Sequence, residues 1–293
     1  TTISAQTILR SRNAARPDKV LSTLLLRYPR WIHAEFMTQG FFSRNAASSR
    51  AIPVEKLIRD VLENTAMPIF WGRNQKGMQA NEECDNGVPL PEFASSVGSL
   101  KREDAWLYAR DLAVGMARAF ADAGYHKQIV NRLLEPFSHI TVLVSATEWD
   151  NFLELRDHPD AEPHIQTWRA DPEMPEDEST IQELQPGEWH LPFIADEERE
   201  RYGFIDLIKL SVARCASTSY KTVDGFDMTL ERAKAIFDKL ITSKPMHASP
   251  AEHVAQADGW VESLSSWEHL ALHGNFEGFV QYRKLCEAAN LGR

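Results

Sequence analysis

Apolar residues run densely through VLSTLLLRYPRWIHAEFM at 20–37, with Pro29 in the middle. A proline inside such a run predicts a short strand, a break, and then the start of a helix. In PVEKLIRDVLENTA at 53–66, Val54, Leu57, Ile58, Val61 and Leu62 recur at helical spacing behind Pro53, a residue tolerated at a helix start. The clearest helix is predicted over 101–123 (KREDAWLYARDLAVGMARAFADA), with Gly124 as its stop signal. HKQIVNRLLE at 126–135 predicts a second helix ended by Pro136. ITVLVSATEW reads as a β-rich segment that gives way to a helical or irregular NFLELR. IDLIKLSVA at 205–213 fits strand or helix, FDMTLERAKAIFDKL at 226–240 an amphipathic helix, and FVQYRKLCEAANL a helix. GRNQKGMQANEECDNG at 72–87 predicts a long loop, and the proline- and acid-rich stretch 168–203 an excursion. There are no internal repeats. The pattern is mixed α/β, without the regular strand–helix alternation and Gly-x-Gly-x-x-Gly turn of a dinucleotide fold.

Composition narrows this picture. With 293 residues and 43% apolar content, the chain can bury one large core. It carries 42 acidic and 32 basic residues, a formal charge of -10. That balance argues against a broad nucleic-acid surface but allows a small anionic ligand, which needs only a local cluster of arginines. Cys84, Cys215 and Cys286 are too scattered for a Cys-x-x-Cys site and too few for a disulfide scaffold. The polar opening has no secretory pattern and no stretch reaches membrane-spanning length, so the expected location is the cytoplasm.

Candidate chemistry is concentrated in FFSRNAASSRAIP at 41–53. Hydroxyls and backbone amides can hold a phosphate, an arginine fork can grip it, and small alanines let it approach. A polar turn leading into a helix cap explains the same residues. Arg132 in IVNRLLEP and Arg156 in NFLELR each require a partner or a route to solvent, which an ion pair or an anionic ligand would provide. The Asn151 amide offers the donor and acceptor that a uracil edge needs. The ten histidines form no metal-binding signature, so no metal is expected. Cys215 reads as a small buried residue rather than a nucleophile.

LLLRYPRWIHAEFMTQGFFSRNAASSRAIP at 24–53 resembles the signature region of the flavin-dependent thymidylate synthases, keeping Ser43, Asn45, Ser48 and Arg50 in register. The similarity continues through FWGRNQKGMQA, NRLLEPF, SATEWDNFLELR, LSVARCASTSY, SPAEH and HGNFEGFVQYRK. It implies a single catalytic domain over 1–293, a mixed sheet flanked by helices, with excursions near 72–100 and 168–203 and a permuted element order. Its implied reaction moves a one-carbon unit from methylenetetrahydrofolate to C5 of dUMP or UMP, with reduction to methyl through FAD and NADPH. It also implies a homotetramer with sites between subunits, taking no nucleic acid and no membrane.

By the same resemblance, Ser48, Arg50 and Arg132 bind the nucleotide phosphate. Arg156 touches the uracil and is the catalytic residue, stabilising charge on the ring. Asn45, Asn151, His253 and Gln39 lie at the cofactor. Two departures stand out: Gln39-Gly40 replaces the usual His-Arg, and Glu162 and His164 replace a glutamine and an acid. They leave open a non-catalytic nucleotide-binding homologue, or one that makes another product such as a hydroxymethyl group.

Overall fold

The computed structural model describes residues 3–38, 40–77, 80–91, 98–149, 162–167, 181–218, 228–241, 243 and 246–289. A five-stranded sheet organises them, in the spatial order Ser43–Ala46, His139–Ala146, Arg16–Pro29, Ser4–Asn13 and Gln182–Leu184. β1 (Ser4–Asn13) and β2 (Arg16–Pro29) form a hairpin, β3 (Ser43–Ala46) and β6 (His139–Ala146) are antiparallel, and the short β7 (Gln182–Leu184) adds parallel to β1.

β2 is longer than its apolar run suggested, and Pro29 ends it instead of interrupting it, because a strand end needs no further N–H for pairing. Leu21 to Leu26 are all buried, the pattern of a central strand covered on both faces. Alternation then assigns the two faces. Leu24, Leu26, Tyr28, Ile140, Val142 and Val144 pack with Ile32, Phe36, Phe42 and Ile165 on one. Leu25 and Leu143 meet Cys215 on the other.

That second face carries polar residues. Thr23 pairs with Ser145, and Ser145 with Ser43, along one row of the sheet. Thr23 Oγ1 lies 2.6 Å from Ser145 Oγ and 2.8 Å from His190 Nε2. His190 Nδ1 lies 2.7 Å from Ser11 Oγ, and Ser145 Oγ lies 2.9 Å from His253 Nδ1. Hydroxyls and imidazoles both donate and accept, so protons can run along this chain in either direction, and Ser11 Oγ also accepts from Gln182 Nε2 at 2.8 Å. At one end of the chain, His253 Nε2 is left without a partner among the described residues.

A second sheet covers this seam, in the order β12-β9-β8. Its strands are β8 (Trp189–His190), β9 (Ala255–Ala257) and β12 (Phe279–Gln281). Ala255, Ala257, Phe276 and Phe279 pack on Leu21 and Leu184. Two small hairpins, β4 (Val88–Pro89) with β5 (Ser99–Leu100) and β10 (Trp260–Val261) with β11 (Ser266–Trp267), lie outside these sheets.

The helices follow the apolar spacing closely. α1 (Val54–Glu63) buries Leu57, Ile58 and Val61 against Val114 and Ala117 of α2 (Arg102–Asp122). Glu103 and Asp104 sit in the first turn of α2, where carboxylates oppose the helix dipole. Past its end, Gly124 takes φ +87, a conformation that suits glycine. The ambiguous 205–213 stretch is the interior of α3 (Phe204–Ser217), and α4 (Leu230–Ile241) packs beside it. The tail supplies β12 and then α5 (Tyr282–Ala288), so it is not helical throughout. The expected 168–203 excursion yields β7, β8 and a helical turn at Asp196–Arg201 in its described part, elements too short to give a periodic signal. No helix among the described residues is long and apolar enough to cross a membrane.

Burial holds His139, His190 and His253 neutral, each with its pKa pushed down to about 3. Unfolding returns each ring to an ordinary value of about 6.5, so between these limits the unfolded chain binds protons that the native chain refuses. Stability from these groups is fully present above about pH 6.5 and is lost as pH falls towards 3, with a slope of about 1.4 kcal/mol per pH unit for each ring. Urea midpoints should therefore drop clearly between about pH 7 and about pH 5; equal midpoints would contradict three neutral buried imidazoles.

Candidate functional site

β3 divides the polar segment between the two faces of the sheet. Ser43 and Asn45 point to the seam: Asn45 donates to the Cys215 carbonyl at 2.8 Å and accepts from Ser249 Oγ at 3.2 Å. Arg44 points to the opposite face and donates to the carbonyls of Met37 at 3.0 Å and Phe36 at 3.4 Å. After Ala46 the strand ends, and Ser48 leads into a single 3-10 turn, Ser49–Ala51.

That turn is bonded to another, distant in sequence. The segment predicted as one helix is a short α-helix, Lys127–Val130, followed by a 3-10 stretch, Asn131–Phe137, with Pro136 inside it. Asn131 is fully buried, and its amide donates to the carbonyls of Ser49 at 2.7 Å and Ile52 at 2.9 Å. Lys127 Nζ reaches the Ala51 carbonyl at 3.1 Å. Ser49 Oγ donates to Glu135 Oε1 at 2.6 Å, and Arg132 Nη1 donates to the same carboxylate at 3.0 and 3.2 Å. Ser48, Arg50 and Arg132 thus stand on two hydrogen-bonded turns, with Arg50 and Arg132 exposed.

Arg30 lies beside them. Its Nε donates to Ser138 Oγ at 3.2 Å and its Nη2 to the Ala47 carbonyl at 3.4 Å. Burial lowers its pKa; Glu135 acts in the opposite direction, and Arg132 adds to the lowering. Tyr28 OH lies 2.8 Å from His33 Nδ1, and burial, reinforced by Arg30 and Arg44, pushes the His33 pKa down to about 4. The region is locally cationic on an acidic chain. Such a site can bind an anion by charge-assisted hydrogen bonds.

A cavity of about 540 Å³ opens at the start of the same segment, lined by Gly40, Phe42, Glu252, Asn275, Gln281 and Arg283 among others. Its floor is prebuilt: Gln281 Nε2 donates to Ser43 Oγ at 3.2 Å and to Asn275 Oδ1 at 2.9 Å. Arg283 pairs with Glu252 on the wall. A Cβ at Gly40 would meet nothing within 4 Å, so this position has room for a side chain.

No protein-family model and no curated protein matches the chain. Among solved structures, two of the UMP/dUMP methylase PolB from Streptomyces cacaoi are similar in part. The one bound with 5-Br dUMP is 14% identical at a TM-score of 0.39, covering 56% of this chain and 86% of that one. The one bound with 5-Br UMP is 16% identical at a TM-score of 0.36, covering 56% and 84%. Likeness at that level carries neither fold nor activity across.

Ser48, Arg50 and Arg132, expected at the phosphate, share one region of the surface. Asn45 and His253, expected at the cofactor, are core residues. Asn45 has both ends of its amide engaged, and His253 is fully buried. As placed, neither fits a contact with a flavin. Gln39, Asn151 and Arg156 lie outside the described residues. Glu162 and His164, the departures noted above, have local tasks: Glu162 caps a helical turn at 2.8 and 3.1 Å, and His164 Nε2 accepts from Ile69 N at 3.1 Å. Cys215 is buried with its thiol pushed well above the ordinary range, as a core residue and not a nucleophile. Among the described residues, Asp258, Glu268 and His269 bring possible metal ligands together. Both Asp258 oxygens, however, already accept from the backbone or rings of Gly259, His269 and His273.

Arg30, Asn131 and Glu135 escaped sequence reasoning. Asn131 and Glu135 flank Arg132 in NRLLEPF, and Arg30 is a charge inside an apolar run; those were the available signals. Asn131→Ala removes two hydrogen bonds made by a buried amide and should cost about 1–3 kcal/mol of stability. Denaturant unfolding of the variant checks this, and an unchanged midpoint would contradict the tie between the turns.

Proposed function

We propose that this chain binds the phosphate of a uracil nucleotide, dUMP or UMP, on the paired turns, and transfers a one-carbon unit from methylenetetrahydrofolate to C5 of the ring. One observation carries the proposal: Ser48 and Arg50 are drawn to Arg132, about eighty residues away, by the Asn131 amide. The resemblance to flavin-dependent thymidylate synthases had assigned those three residues to a single phosphate, and it supplies the reaction, the mixed-sheet family fold and the permuted order.

The contribution of the described residues is positional. A phosphate seated on Ser48, Arg50 and Arg132 fixes one end of the nucleotide, so that the ring can be held in register with a second reactant. Arg156 is proposed to stabilise negative charge developing on the ring, the electrostatic term that makes C5 nucleophilic. FAD, NADPH and the shared sites of a homotetramer belong to the proposal through the resemblance. Because Asn45 and His253 do not fit a flavin contact as placed, no step is assigned to the flavin.

A second possibility is nucleotide binding without turnover. Gly40 favours it, standing where the resemblance calls for arginine and lining the cavity. Incubating UMP and dUMP separately with methylenetetrahydrofolate, FAD and NADPH, then weighing the products, separates the two. Methylated product supports transfer, a hydroxymethyl mass shows an altered product, and binding without product supports the second possibility. In that last case Gln39→His with Gly40→Arg should raise turnover. Arg50→Ala should weaken UMP binding about ten- to a hundredfold, as expected for a lost charged hydrogen bond, with the fold intact. Unchanged affinity by calorimetry would remove the phosphate assignment.

A further inference from the structure

Arg30 and Arg132 lie within electrostatic reach of one carboxylate, Glu135. They relate to it differently. Arg132 bonds it directly, but its side chain is 57% exposed, so the pair is screened and easily exchanged. Arg30 is half-buried and held by two neutral oxygens, those of Ser138 and Ala47. No carboxylate among the described residues lies within ion-pair distance of Arg30, and its Nη1 has no partner there. Glu135 is anchored from the other side, because its Oε1 also accepts from Ser49 Oγ at 2.6 Å. Two guanidinium groups against one carboxylate leave an excess of positive charge, and Arg50 on the adjoining turn adds more. A phosphomonoester carries about -1.5 to -2 charge near neutral pH, which matches that excess. A neutral nucleoside brings nothing to it.

Building on the nucleotide proposal, we infer that Glu135 is a built-in competitor for Arg132, displaced when a phosphomonoester dianion binds, and that Arg30 is the fixed cation of that site. Arg132 then exchanges one anionic partner for another, while Arg30, already held, meets the phosphate without reorganising. Glu135 keeps its bond from Ser49, so the turn stays in place during the exchange. Binding is thereby weakened for any ligand too feebly charged to replace a carboxylate.

The test uses the full chain, with UMP and uridine as probes in calorimetry. Glu135→Gln keeps an acceptor for Ser49 but removes the competing charge, and should tighten UMP binding about two- to fivefold. Arg30→Gln should weaken UMP about tenfold or more and leave uridine unchanged, with Arg30→Lys recovering part of the loss. Thermal melts identify a misfolded variant; if Arg30→Gln does not fold, Glu135→Gln and Arg30→Lys decide. Unchanged or weaker UMP binding in Glu135→Gln overturns the competitor role. If Arg50→Ala still weakens UMP binding as expected in that case, the nucleotide proposal stands without this inference. A wild-type chain that binds neither UMP nor inorganic phosphate ends both.

Discussion

The need to satisfy hydroxyls and imidazoles in a dry interior governs this structure. Thr23 and Ser145 lie where an ordinary sheet would place aliphatic side chains, and they meet two buried imidazoles, His190 and His253. Each would be costly if left alone. Joined end to end with Ser11, they instead tie β1, β2 and β6 to the elements carrying His190 and His253. A slip of one residue in any of these strands would turn the row to the wrong face. The polar seam thus specifies a register that the apolar residues, being interchangeable, specify less sharply.

The placement of the candidate site follows from that register. With β6 fixed against β2, Ser43 falls opposite Ser145, and β3 takes the edge of the sheet. The chain must then leave β3 beside the segment that enters β6. There the Asn131 amide closes the gap, and Arg30, at the end of β2, completes the group. Three pieces of sequence meet because three neighbouring strands begin or end at the same corner. A short strand also explains how one segment serves two purposes: alternate residues turn to the seam or to the opposite face, and the turn beyond is free to meet a ligand.

Charge is distributed unevenly. The chain is acidic overall, yet Arg30, Arg44, Arg50 and Arg132 gather around β3 and its neighbours with Glu135 as the acidic group bonded into the paired turns. The neutral state of His33 belongs to the same field. A cationic patch on an acidic molecule discriminates by local geometry, not by long-range attraction, which suits a small anion better than a polymer.

The main helices were legible in the sequence because their apolar residues recur at helical spacing and their ends carry proline, acids or glycine. α1 and α2 stand where the pattern put them, and the dense β2 and β6 runs read as buried strands. The residues proposed to hold a phosphate were picked out only through resemblance; by residue type alone, SRNAASSR fits a polar turn equally well. Tertiary structure decided the rest. β7, β8 and β9 are too short for any period to develop. IDLIKLSVA is apolar on all sides, so burial, not periodicity, makes it a helix. NRLLEPF looks like a continuing helix, and its 3-10 form is tied to a partner turn some eighty residues earlier. Asn45 and His253 look like ligand contacts in a motif, but the fold buries both: Asn45 bonds Cys215 near the end of α3 and Ser249, and His253 bonds Ser145 of β6, partners that no local window contains.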